Sequence, residues 1–212
     1  MNLRRVSLLL AVTLLVAGCA GSGGGDESSS PLVADAAPAT LDEATLSATG
    51  YAHVSTTREG LNTTVSAAIQ GDVTLSTTRQ VNATTVTAVY RRATDAAPVV
   101  VTLTSVPAVR PFERADLVKN PAAGRSVAAF VAGYDVTGVE EAGRRQVTLL
   151  GNETTLTAYT AAGSTDGRSL RLVRATVLHE GDYVTLAVAA PSGATLRLAR
   201  LLDGVAHEKT AS

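Results

Sequence analysis

Three histidines, one cysteine and two acidic clusters are the residues of this 212-residue chain whose types could do chemistry. His53, His179 and His207 could hold an ion such as zinc if they converged with a further ligand. No HxH or HxxxH spacing brings two of them together, so exposed or hydrogen-bonded imidazoles are expected, and no metal or other cofactor is assigned. His179-Glu180-Gly181-Asp182 resembles an acid–base cluster, but glycine and aspartate are also what a hairpin connection needs. Glu140-Glu141 could supply half of a carboxylate pair for hydrolysis. Followed by Gly143-Arg144-Arg145, it reads instead as a solvated turn. No serine stands in a GxSxG elbow. The glycines of 21–25 carry no GxxxxGK[ST] pattern, so they form a linker and not a phosphate loop. No catalytic residue emerges, and the chain is expected not to be an enzyme.

A single cysteine allows neither an internal disulfide nor a thiolate zinc cluster. Its position carries the meaning. Arg4 and Arg5 open the chain with positive charge, and Val6 to Ala17 is almost wholly apolar. That run is shorter than the roughly 20 residues of a spanning helix, and small residues precede Cys19, as in a cleavable secretory signal. With cysteine at the cleavage point, Leu15-Val16-Ala17-Gly18-Cys19 resembles the lipobox of prokaryotic lipoproteins. The resemblance makes residues 1–18 a signal peptide and Cys19 the lipid-bearing first residue of the mature chain. The expected address is the outer, extracytoplasmic face of the cell membrane, with the lipid on Cys19 as the membrane partner.

Residues 19–38 are rich in glycine, serine and small residues, too polar to offset chain entropy by burial, and are expected to form a disordered tether. Patterned sequence begins near Thr40, so residues 39–208 are expected to form a single domain. Hydrophobic residues make up 45% of the chain and aromatics only 3%, so its core must be aliphatic. The formal charge of −1 gives no reason to expect nucleic acid as a partner.

Thr40-Leu41-Asp42-Glu43 fits a capping box, with Thr40 as N-cap and Gly50 as the stop of a short helix. From Tyr51 to Ser105, apolar and β-branched residues alternate with period two, as in strands. A mid-chain helix is expected at Gly124 to Ala132. Gly151-Asn152 and His179-Glu180-Gly181-Asp182 mark two hairpin turns. Ser192 is expected to cap a C-terminal helix carrying Leu198, Leu201, Leu202 and Val205 on one side. The fold class expected is α+β: an antiparallel sheet with these three helices packed on it, preceded by the signal peptide and tether.

Three of the asparagines beyond Cys19, Asn62, Asn82 and Asn152, stand in Asn-x-Thr sequons. In an exported chain they are candidate N-glycosylation sites, and all three coincide with turn signals.

Ala39-Thr40-Leu41 leading to Thr49-Gly50-Tyr51, Leu149 to Thr154, and Leu201 to His207 together resemble a haloarchaeal lipoprotein family of unknown function, over roughly residues 38–208. The strand-rich pattern closing on a helix is also similar to the PsbP-like fold. The first resemblance implies a fold and an address, the second a fold alone, and the first supplies no catalytic residue. The function expected is a non-enzymatic binding or assembly module that meets a protein or small-molecule partner near the membrane. One rival is a carrier enclosing an apolar ligand or lipid in a curved sheet, and another is a hydrolytic enzyme.

Overall fold

The computed structural model describes residues 30–69, 75–108, 136–163 and 168–208, with side chains throughout except at 63–69 and 75–79. The signal run, Cys19 and the mid-chain helix expected at 124–132 lie outside these residues. Among the described residues ten strands form: β1 (Leu32–Asp35), β2 (Ala39–Leu41), β3 (Ala52–Ile69), β4 (Leu75–Arg92), β5 (Val99–Pro107), β6 (Val136–Leu149), β7 (Asn152–Gly163), β8 (Ser169–His179), β9 (Asp182–Pro191) and β10 (Val205–His207). The described helices are α1 (Glu43–Thr49) and α2 (Leu198–Asp203).

Two antiparallel meanders build the main sheet. One runs β3-β4-β5, the other β6-β7-β8-β9, and they join where β5 pairs β9. β3 pairs along nearly the whole length of β4. The opposite edge of β4 is shared by β5, facing Val86 to Arg92, and by β1, which runs parallel beside Val81 to Thr84. A parallel strand makes the eight-stranded sheet mixed. Apolar side chains fill both sides of the central strands. Val101, Leu103 and Leu186 pack with Leu149 and Leu201 on the helix side, while Val100, Leu172 and Ala189 pack with Tyr159 on the other.

This architecture corrects the α+β expectation. The domain is predominantly β, and its two described helices span seven and six residues, too little to form a layer. The strand pattern simply persists: β-branched residues at alternating positions keep β3 and β4 extended for 18 residues each. Both described helices are followed by a glycine, Gly50 and Gly204.

The caps themselves differ from expectation. Asp42, not Thr40, is the N-cap of α1, its Oδ1 accepting from the Thr45 amide at 2.6 Å. Thr40 belongs to β2, whose pairing with β10 takes it out of the helix. Gly50 does end α1 in the left-handed conformation, with φ 73°. α2 begins at Leu198 after Arg197 and has no side-chain cap, so Ser192 does not cap it, and Val205 lies in β10. The stretch assigned to the tether also shortens. Leu32–Asp35 is strand β1, Ala36 is buried, and the compact unit starts at Pro31.

The two helices meet at Gly204, whose carbonyl accepts from the Asp42 amide at 2.9 Å. A Cβ there would lie 1.9 Å from Thr45 Oγ1 and 2.5 Å from Thr45 Cβ. Thr45 is itself buried and has little room to give. Gly204→Ala is therefore expected to destabilise the domain by about 1–3 kcal/mol through overpacking, read as a lower urea midpoint. An unchanged midpoint would show that the helices separate freely.

Candidate functional site

β8 and β9 are joined by a two-residue turn, Glu180-Gly181, between the paired residues His179 and Asp182. Both turn residues have positive φ, 49° and 81°, the combination of the tight turn whose twist matches the strands. The hairpin end is thus rigid, and it sets His179, Glu180 and Asp182 within four residues. β10 brings in His207 through its pairing with β2, where His207 faces Ala39.

The result is a chain of polar contacts running from the interior to the surface. The Asp182 and His207 side chains are fully buried. Asp182 Oδ2 accepts from the Ala37 amide at 2.8 Å and lies 3.2 Å from His207 Nε2. His207 Nδ1 lies 3.1 Å from Nδ1 of the half-buried His179, with the rings at 76°. One proton must sit between these two Nδ1 atoms for them to bond, because two bare lone pairs would repel. Glu180, at the exposed turn, completes the cluster: one ligand-type atom from each of His179, Glu180 and His207 lies within 4.8 Å of the others. An Asp–His pair is the orienting half of a nucleophilic triad. The place where such a triad holds its nucleophile, beside the far imidazole nitrogen, is taken here by His179.

His53 does not join them. It is exposed at the start of β3, bonded to Thr56 Oγ1 at 2.9 Å and edge-on to Tyr90. Tyr90 is buried, accepts from the Leu41 amide at 3.0 Å, and ties β2 to the main sheet. Burial pushes its phenol above the ordinary tyrosine range, against the opposing effect of the Leu41 hydrogen bond.

A second feature is a surface groove of about 500 Å³ over β6, β7, β8 and the segment entering α2. Leu156, Ala158, Leu196 and Leu198 give it an apolar floor. Arg144, Arg145, Arg171 and Arg197 stand around that floor, and no acidic residue lines it. Arg144 is held by Glu141 through two bonds of 2.8 Å, which lower the Glu141 carboxyl below the usual range. Glu140-Glu141 is accordingly not a turn: both residues belong to β6, beside an irregularity in its pairing at Glu141/Gly143. Sequence reasoning missed this groove, because its arginines come from β6, β8 and the approach to α2.

The sequons also fall differently from expectation. Asn62 and Asn82 are not in turns but face each other across β3 and β4. Asn62 is exposed and accepts from Gln80, whereas the Asn82 Oδ1 is buried with no bonded partner. Asn152 opens β7 just after the turn, with its Nδ2 donating to the Leu150 carbonyl at 3.0 Å. That turn is Leu150-Gly151, one residue earlier than Gly151-Asn152.

The profile of DUF6517, a domain of unknown function, matches residues 38–208. The chain belongs to the DUF6517 family. No curated protein and no solved structure matches it. The matched span runs from the residue before β2 to the residue after β10, so the DUF6517 domain contains the His179–Asp182–His207 cluster and the arginine groove together. β1 and Ala37 lie just upstream of the match.

Proposed function

We propose that the protein is a lipid-anchored binding module on the outer face of the cell membrane, and that the groove over β6–β8 receives an acidic segment of a protein partner. Charge carries the proposal. Four arginines and no acid line the groove, and three of those arginines remain to attract a partner once Glu141 has paired with Arg144. An apolar floor within a positive rim suits acidic residues interleaved with an apolar side chain, and a cleft lined by positive charge steers such a partner in. The anchor rests on the run ending at Cys19, and the resemblance to haloarchaeal lipoproteins supports the same address. No described helix is long and apolar enough to cross a membrane.

A ligand carrier has less support, because Leu103, Leu149, Leu186 and Leu201 fill the space between sheet and helices. A hydrolytic enzyme has less still, given His179 in the place of a nucleophile.

Polyglutamate serves as the probe, titrated against the full chain in detergent. Saturable binding that weakens with added salt is expected, falling about tenfold or more in the Arg145→Glu, Arg171→Glu double variant. No binding, or equal binding by the variant, would overturn the acidic-partner reading.

A further inference from the structure

We propose that His179, His207 and Glu180 form a binding site for a divalent transition-metal ion of the zinc class. The site is separate from the arginine groove, since none of its residues lines that groove. Two nitrogens bound to one tetrahedral zinc stand about 3.3 Å apart, given Zn–N distances of about 2.0–2.1 Å. The two Nδ1 atoms here are 3.1 Å apart, close to that separation, so an ion can sit above the line between them once both rings turn toward it. Glu180 brings a carboxylate oxygen within 4.8 Å of one ring nitrogen of each histidine, giving two nitrogens and an oxygen. Such a set, with no thiolate, suits zinc, cobalt, nickel or copper better than calcium or magnesium.

Behind the cluster stands the carboxylate that imidazole ligands of metals ordinarily have. Asp182 takes the Nε2 side of His207 at 3.2 Å, which leaves the Nδ1 lone pair facing His179. Asp182 is itself fixed from the far side by the Ala37 amide. The tight Glu180-Gly181 turn holds the other two ligands on the same rigid hairpin. Burial is graded: His207 is deep, His179 is half-buried and Glu180 is at the surface. An ion can therefore enter from solvent, and a water can fill its fourth position.

Without an ion, the proton between the two Nδ1 atoms gives the histidines a hydrogen bond. Metal takes the place of that proton, which must move to Nε2 of His179 so that both rings ligate as neutral imidazoles.

The full chain in detergent, stripped by chelator, is titrated with zinc chloride by calorimetry. One zinc per chain is expected. His179→Ala, a change at a half-buried position outside the core clusters, is expected to abolish the stoichiometric phase, and Glu180→Gln to weaken it. Asp182→Asn is expected to weaken it by about 10–100-fold through loss of ligand orientation. Circular dichroism of each variant confirms that it is folded. No saturable binding in the wild type, or binding unchanged in folded His179→Ala, would overturn the site and leave a plain histidine–histidine hydrogen bond.

Discussion

Cys19→Ser is expected to move the protein from the membrane fraction to the soluble one. Burial of acyl chains contributes about 0.8 kcal/mol per CH₂, so a two-chain lipid holds a domain far more firmly than one chain can. The described remainder of the chain supplies no helical substitute for that anchor. A serine at the cleavage point can also block processing and leave the signal peptide attached. The fractionation is therefore read together with the mass of the variant, and the release expected is that of the processed form. Processed variant that stays with the membrane would place the anchor elsewhere in the molecule.

The second large effect is expected at Asp182. Its carboxylate has a separation of 145 residues from Ala37 and of 25 from His207, and it bonds both. It thus fastens the segment after β1 and the closing strand β10 to the start of β9. Removing one partner of a buried ionic or strongly hydrogen-bonded pair costs about 3–5 kcal/mol, because the groups left behind stay buried without their acceptor. Asp182→Ala is expected to lose that much in urea unfolding, a large part of the 5–15 kcal/mol typical of a domain. Asp182→Ala, His207→Ala and their double variant form a cycle in which the two losses should be far from additive. A loss below about 1 kcal/mol in Asp182→Ala would mean that the carboxylate does not fasten these segments.

How far the sequence foretold this structure depends on how local each signal is. The β8–β9 hairpin was legible in His179-Glu180-Gly181-Asp182, because turn chemistry acts within four residues. Gly50 was legible as the stop of α1 for the same reason. Asn62 and Asn82 misled because asparagine favours turns, yet cross-strand pairing keeps both in the long β3–β4 hairpin. Thr40 misled because its pairing in β2, a long-range contact with Ala206, takes it out of reach of a cap two residues later. The approach of His179 to His207 was not legible at all. Nothing in a 28-residue separation foretells that β10 will pair with β2 and set His207 behind the hairpin. The arginine groove was hidden likewise, since Arg145, Arg171 and Arg197 become neighbours only once β6, β8 and the approach to α2 are in place.

Display of the DUF6517 domain on a lipid at Cys19 is the claim on which the proposed role depends. Intact mass of the protein, extracted by detergent from the membranes of its own host, tests it most directly. The result expected is a mature chain beginning at Cys19 with the added mass of a two-chain lipid on that residue. A chain beginning elsewhere, or one beginning at Cys19 with no lipid mass, would contradict it.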